Sequence, residues 1–318
     1  MRLFVKDLKT GDVLVDHPFA IREIAKKVGK RDNEYYSLIL SDKTGSVDAK
    51  IWSDYFINCD LANAKVGEVV SVTGKVDSFN DSNQVIIEKI TKLSKFDPAE
   101  FLREGVKDRE KLFSEILSVV SELQDDEIKN LILKIFEDKE LVEKYKDAPA
   151  GELVHHNYVG GLMEHVDEML QFALTAKKVY PEVRISELVF GVLFHDIGKL
   201  EELGTTGVVL ERTVPGYLMG HLGQGLLLIS KYFPENFDKN KKERLLHFIL
   251  SHHGEREKGS PIQPMTLEAI LLSEIDNLSF KMGAAYEHLR KETLDEKGMT
   301  GYSKYLGGSL FSSSTPED

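Results

Sequence analysis

The 318-residue chain has a single cysteine, Cys59, so an intramolecular disulfide is excluded. This cysteine usage is typical of a reducing compartment, and we expect a cytoplasmic protein. Long apolar runs are also lacking, since the strongly apolar stretch from Leu188 to Phe194 is far too short to span a bilayer. Because charges precede any apolar run at the N-terminus, we expect no signal peptide and no membrane partner.

An excess of positive charge is lacking as well. The net charge of −12 argues against a nucleic-acid partner, because phosphate binding is driven by Lys and Arg. The charge is uneven, however. Residues 1–95 carry 15 basic and 14 acidic side chains, whereas the remainder carries 26 basic and 39 acidic ones. The acidity therefore lies in the C-terminal part, where bound metal ions would add positive charge that a residue count omits.

The first 95 residues have the alternation and turn signals of β-strands. A short helix is predicted at 54–64, and strands are predicted at 19–28, 35–40, 46–52, 68–79 and 84–93. Three strands, a helix and two strands is the order of a five-stranded OB-fold β-barrel.

After Phe96 the apolar residues recur at helical spacing, as at Leu112, Ile116 and Val120. We therefore predict a multidomain α+β protein. An OB-fold domain at 1–95 is followed by a linker at 96–107, an all-α domain at 108–298 and a partly disordered tail at 299–318. Disorder is expected most at Ser312–Pro316.

Nine of the ten histidines follow residue 150. Buried His and Asp are costly unless they are paired or bind metal. One such histidine is more often a hydrogen-bonded core residue than a ligand, but a set on successive helices favours a metal site. The candidate set is His165, His195, Asp196, His221, His252, His253 and Asp276. Imidazole with a shared carboxylate suits Mn, Fe, Co, Ni or Zn better than Ca or Mg. A bridging aspartate would hold two ions about 3.5–4 Å apart.

This ordered set resembles the extended HD phosphohydrolase pattern, which places two metals in a helical domain. Longer segments are similar to the YhaM family of bacterial 3′→5′ exoribonucleases, which also pair an N-terminal OB fold with an HD domain. These segments are 155–165, 194–199, 251–254 and 259–261. The resemblance covers nearly the whole chain.

The resemblance implies two divalent transition metals, with Mn²⁺ expected first and Fe, Co, Ni or Zn as alternatives. One metal would be held by His165, His195, Asp196 and Asp276. The other would share Asp196 as the bridge and add His221, His252 and His253. Asp196 and Lys199 are the predicted catalytic residues. Lys199 would share a helix face with Asp196 and stabilise phosphoryl charge, although an ordinary solvated lysine is an equal alternative.

Other notable positions lie outside the predicted ligand set. His155 and His156 precede a Gly-Gly turn, and we favour contact with substrate phosphate over a role in capping the loop. After Asp276 the chain has Ser279-Phe280-Lys281 where the family suggests Asp-Ala-Lys, which leaves the substrate contacts there open. The Gly-Tyr-Pro element of cyclic-di-GMP-specific relatives is absent after His253.

The predicted OB domain offers candidates for contact with nucleic acid. The basic residues Lys26, Lys27, Lys30 and Arg31 cluster between the first two strands, a loop that borders the ligand face of an OB fold. Candidate stacking rings are Tyr35, Tyr36, Trp52 and Phe79. Strand alternation places some of these rings in the barrel core.

We therefore predict a metal-dependent 3′→5′ exonuclease acting on single-stranded RNA, with DNA as a second candidate substrate. The family implies nucleoside 5′-monophosphate products. One alternative is a phosphodiesterase for a small nucleotide or cyclic dinucleotide. Another is a single-strand or regulatory DNA-binding protein with a structural metal site. A homo-oligomer is left open.

Overall fold

A computed structural model describes residues 3–29, 33–79, 82–102, 105, 107–151, 156–292 and 294–312. The chain divides into two compact units. The first comprises Met1–Glu104 and Gly204–Glu211, and the second comprises Gly105–Leu203 and Arg212–Asp318. A short segment that interrupts the second unit in sequence thus belongs to the first.

The first unit contains a closed barrel with strand order β1-β2-β3-β5-β4, which confirms the predicted OB fold. The strands are β1 Val13–Val28, β2 Glu34–Asp42, β3 Gly45–Trp52, β4 Val69–Phe79 and β5 Ser82–Lys92. β3 and β5 pair in parallel, and the other neighbours are antiparallel. Alternate β3 residues, Val47, Ala49 and Ile51, enter the barrel core.

Two details of the barrel differ from the sequence prediction. β1 begins at Val13 rather than Phe19, because a register shift between Leu14 and His17 breaks the alternation that marks a strand. The predicted helix at 54–64 is only a 3₁₀ turn, Ser53–Asn58. The backbone then joins β5 instead of continuing a helix, since the Asp60 N–H donates to the Ile90 carbonyl at 2.9 Å.

The segment 204–211 forms most of a hairpin made of β6 Leu203–Thr206 and β7 Val209–Arg212. Its valines are buried in a small apolar cluster of the first unit. This cluster consists of Ala20, Val69, Phe101, Val208 and Val209. Phe101 comes from the stretch that the sequence analysis assigns to a linker, so part of that stretch packs as an ordered element.

The second unit is helical. Its α-helices are α1 Arg109–Ser121, α2 Asp126–Phe136, α3 Lys139–Asp147, α4 Gly161–Val179, α5 Ile185–Phe194, α6 Lys199–Glu202, α7 Val214–Ser230, α8 Lys239–Ser251 and α9 Leu267–Lys291. Helix α5 is buried from Ser186 to Phe194, which explains why its sequence has no polar side chain from Leu188 onward. Within the described residues, no helix has the length and apolar character needed to cross a membrane.

The segment after α9 is held by its own hydrogen bonds as far as Ser312. The N–H of Thr300 donates to the Leu310 carbonyl at 2.8 Å, and His288 of α9 bonds to the Gly301 carbonyl at 2.9 Å. The disorder predicted at Ser312–Pro316 falls, apart from Ser312, outside the described residues.

Candidate metal centre and nucleic-acid surface

The predicted ligands converge in the second unit as two groups. In each group, three donor atoms lie within 4.8 Å of one another. One group is His165 from α4, His195 after α5 and Asp276 from α9. The other is His221 from α7 with His252 and His253 after α8. These groups match the two sets that the family resemblance implies, apart from the shared aspartate.

Asp196 lies between the two groups and is almost fully buried. Its Oδ2 is 3.5 Å from Nε2 of His195. Its Oδ1 is 3.6 Å from Nε2 of His221 and 3.5 Å from Nε2 of His252. Each carboxylate oxygen therefore faces one group, which is the arrangement that a bridging ligand needs.

The helix backbone orients two of the imidazoles. Nδ1 of His195 is 3.1 Å from the Val192 carbonyl, and Nδ1 of His252 is 3.1 Å from the Ile249 carbonyl. A carbonyl can only accept, so Nδ1 carries the proton in each ring. In the neutral ring, Nε2 then presents a lone pair to the centre.

Ring nitrogens also face one another across each group. Nε2 of His165 is 3.3 Å from Nε2 of His195, and Nε2 of His221 is 3.1 Å from Nε2 of His253. Such pairs need either a shared proton or a cation between them. Buried Asp196 Oδ1, His252 Nε2 and His253 Nδ1 have no hydrogen-bond partner in the described part of the chain. These nitrogen and carboxylate donors fit a pair of divalent transition metals.

The electrostatics of Asp196, His252 and His253 favour the same protonation states that metal binding requires. Burial alone would raise the pKa of Asp196, but Lys199 and His195 outweigh it and hold that pKa well below its usual range. Burial lowers the pKa of His252 to about 3 and also lowers the pKa of His253. His195 is the exception, because the Asp196 carboxylate outweighs the effect of burial and raises its pKa, so metal binding there would displace a proton. Ionised carboxylates and neutral imidazoles are the ligand forms.

Two supporting contacts were not found from the sequence. Glu202 accepts a hydrogen bond from Nδ1 of His221 at 2.9 Å. Ser279 lies 3.1 Å from Nδ1 of His165 and donates to Glu168 at 2.9 Å. Metal-binding histidines commonly have such partners, which fix the orientation of the ring. The partners are distant in sequence, so spacing alone does not identify them.

Two glycines allow α7 to bring His221 to the centre. A Cβ built on Gly198 would lie 1.9 Å from the His221 carbonyl oxygen and 2.5 Å from the Gly225 nitrogen. The helix can therefore pass this close only to a residue without a side chain. Gly220, with φ 62° and ψ 171°, kinks α7 immediately before His221.

Lys199 lies on the same face as Asp196, as the spacing predicts. Its Nζ is 2.5 Å from Asp196 Oδ2 and also donates to the carbonyl of Ala150. The ammonium group is thus held beside the carboxylate rather than solvated, and it is positioned to act on negative charge at the centre.

His155 lies outside the described residues. The His156 ring packs 5.9 Å from the His165 ring and 5.6 Å from the Tyr158 ring, measured between centroids. Burial lowers the pKa of His156 to about 3, so the ring is neutral. His156 therefore neighbours a candidate ligand, while its contact with substrate phosphate stays a prediction.

The barrel surface carries a cluster of rings around Lys50. Tyr35 of β2 lies opposite Trp52 of β3, with ring centroids 5.3 Å apart. Nζ of Lys50 lies 5.7, 5.5 and 4.6 Å from the ring centroids of Tyr35, Trp52 and Phe79. A cation beside stacking rings suits single-stranded nucleic acid. Lys50 is not among the residues predicted from the sequence, although alternation with buried Ala49 and Ile51 marks it as outward-facing.

The remaining barrel candidates fall into three classes. Tyr36 packs against the barrel core, so it is not a surface stacking ring. Lys26 is paired with Glu34 at 2.7 Å, and Lys27 lies opposite Tyr35 in the β1–β2 register. Lys30 and Arg31 lie outside the described residues.

Comparisons with known proteins agree with this architecture. The HD domain family model matches residues 162–281, and a model described as an OB-fold nucleic acid binding domain matches residues 21–93. A protein named 3′-5′ exoribonuclease YhaM from Listeria monocytogenes serotype 4b (strain CLIP80459) is 31% identical over 274 residues, covering 85% of this chain and 86% of that protein. Its namesake from Geobacillus sp. (strain WCH70) is 31% identical over 87% of this chain and 85% of its own length. The Bacillus pumilus (strain SAFR-032) protein of that name is 30% identical, and the match covers 92% of this chain and 94% of that protein. The chain therefore belongs to the YhaM family of 3′-5′ exoribonucleases.

Proposed function

We propose that this protein is a divalent-metal-dependent exoribonuclease that hydrolyses single-stranded RNA from the 3′ end to nucleoside 5′-monophosphates. The observation that carries the proposal is the position of Asp196, whose two oxygens face two separate histidine groups. Relatives along nearly the whole chain are named 3′-5′ exoribonucleases. Mn²⁺ is the ion we test first.

When bound, two divalent ions would supply Lewis acidity at a phosphoryl group and lower the pKa of a water molecule. The residues that would hold them are His165, His195, Asp196 and Asp276 on one side and Asp196, His221, His252 and His253 on the other. Lys199 holds a positive charge 2.5 Å from Asp196, where it stabilises negative charge that develops on the phosphoryl oxygens.

The barrel supplies a second attachment point for long substrates. The second unit is acidic, so a polyanion gains little from it beyond the metal centre. The surface around Lys50 offers a cation and stacking rings instead. Holding one RNA at two weak sites raises the local concentration of its 3′ end.

The direct test uses 5′-labelled single-stranded RNA with Mn²⁺, with EDTA, and with a 3′-terminal phosphate. We expect labelled products that shorten stepwise with Mn²⁺, no reaction with EDTA, and a block by the 3′-phosphate. Labelled mononucleotide as the first product would show the opposite polarity. Faster hydrolysis of DNA or of a cyclic dinucleotide than of RNA would replace the proposed substrate.

Asp196→Asn tests the metal centre while leaving the rest of the protein unchanged. The amide keeps the shape but loses the charge that a bridge between two cations needs. We expect turnover to fall on the order of 10³-fold, since such ions contribute several kcal/mol. Elemental analysis should show reduced metal in a folded sample. Unchanged metal content would remove Asp196 from the assignment.

A further inference from the structure

A cavity of about 660 Å³ opens beside the candidate metal centre. This volume lies within the usual range for small-ligand sites. One wall is formed by centre residues, including Asp196 and His253, and three lysines line the cavity as well. These are Lys199, Lys258 and Lys281.

Two aromatic side chains, Phe280 and Tyr305, complete the cavity wall. Phe280 is four residues after Asp276 on α9, so both side chains lie on one helix face. Tyr305 comes from the segment after α9. The two ring centroids are 6.4 Å apart and the ring planes meet at 76°.

The segment that carries Tyr305 is held by hydrogen bonds within itself and to α9. The Ser303 N–H donates to the Gly308 carbonyl at 2.9 Å, which closes the loop that contains Tyr305. His288 ties the same segment to α9 through the Gly301 carbonyl. Tyr305 therefore occupies a defined position, although 37% of its surface is exposed.

Hydrolysis at a phosphate requires the metals and the lysines but does not require aromatic rings. A nucleobase, by contrast, binds to aromatic rings, because its π-face stacks on such side chains with little dependence on sequence. We propose that Phe280 and Tyr305 form the subsite for the base of the 3′-terminal nucleotide. The proposal rests on the exoribonuclease function proposed above and adds a base-binding site to it.

The geometry limits how the base binds. Because the planes meet at 76°, a base that stacks on one ring meets the edge of the other. One face of Tyr305 is already covered by Lys304, whose Nζ is 4.9 Å from the ring centroid. Stacking on these rings depends on the presence of a base rather than on its identity.

The first measurement uses the unmodified protein. RNA with a normal 3′-terminal nucleotide is compared with the same RNA ending in an abasic residue, and product inhibition by AMP is compared with that by ribose 5-phosphate. We expect KM for the abasic end to rise about 5- to 150-fold and AMP to inhibit correspondingly better. Activity on normal RNA reports the proposed function separately. Equal KM values and equal inhibition in an active enzyme would overturn the subsite.

The second measurement assigns the residues. Tyr305→Ala and Phe280→Leu should each raise KM for normal RNA and reduce the preference for a base at the end, with the metal content unchanged. Tyr305→Phe keeps the ring and should behave like wild type. If Tyr305→Ala does not fold, Phe280→Leu, which keeps an apolar side chain, still tests the site. Variants that retain the full preference for a terminal base would exclude these rings.

Discussion

Buried Glu202 and partly buried His221 form a hydrogen-bonded pair, with Nδ1 of the ring 2.9 Å from Oε2 of the carboxylate. Burial by itself would raise the pKa of Glu202, but the bond from His221 outweighs it and the pKa is lowered. The carboxylate stays ionised and keeps the proton on Nδ1. Nε2 of His221 is left to face Asp196 and His253.

Glu202→Ala should therefore weaken metal binding by about 10- to 100-fold, which is typical when such a supporting partner is lost. The measurement is the Mn²⁺ concentration that gives half-maximal activity, and saturating Mn²⁺ should restore most of the turnover. Glu201→Ala is the matched control, because the neighbouring carboxylate is about half exposed. An unchanged Mn²⁺ dependence for Glu202→Ala would mean that the bond does not position His221.

Gly198→Ala tests the close passage of α7. The added methyl would overlap the His221 carbonyl, so the helix must move and carry His221 away from the centre. We expect a loss of roughly 1–3 kcal/mol in the free energy of unfolding, together with weaker metal binding. Gly223→Ala on α7 is the control, since its Cβ would meet only Met219 at 3.4 Å. Equal stability of the two variants in thermal unfolding would contradict the steric argument.

Substitutions on the barrel surface test the second attachment point. Trp52→Ala and Lys50→Ala should each weaken binding of a long single-stranded RNA, with about 1–3 kcal/mol lost per stacked base for the tryptophan. The effect of Lys50→Ala should shrink as salt rises, because that term is electrostatic. Lys89→Ala on β5 controls for charge alone. Fluorescence anisotropy measures RNA binding. Equal losses of affinity for Lys50→Ala and Lys89→Ala would exclude the surface around Lys50 as the RNA-binding site.

Glu268→Gln tests a buried ion pair away from the metal centre. Glu268 is 1% exposed and accepts the Arg184 N–H at 2.9 Å and its guanidinium at 2.8 Å. Burial would raise the pKa of Glu268, but these bonds outweigh it and lower the pKa. We expect the free energy of unfolding to fall by about 1–3 kcal/mol at neutral pH. This is less than for breaking a fully buried ion pair, because Arg184 is about half exposed.

The pH dependence has a definite sign. A lowered folded-state pKa gives stability that is present above the unfolded value of about 4.3 and is lost as the pH falls through the folded-state value. The difference between wild type and Glu268→Gln should thus be largest above about pH 5 and shrink in acid. Denaturant unfolding across this range measures it, with Glu274→Gln on the exposed side of α9 as control. A constant difference down to acid pH would contradict the ion pair.

The sequence predicted the barrel order and the convergence of ligands because both depend on local patterns. Alternation marks Val47, Ala49 and Ile51 as one face, and the His195-Asp196 pair follows an apolar helix. Contacts between distant residues have no such local signal. Glu202 next to His221 and Tyr305 next to Phe280 depend on how the helices and the last segment pack, so they required the structure.

The hairpin at 204–211 has a consequence for synthesis on the ribosome. A nascent chain folds from its N-terminus, and domains tend to fold as they emerge. Here Val208 and Val209 are needed to cover Ala20, Val69 and Phe101. Those valines are translated only after helices α1 to α6, so the barrel carries an uncovered apolar patch until much of the helical unit has been made. Cotranslational folding of the first unit therefore ends late, and a gene fragment that stops at residue 104 encodes a barrel without this cover.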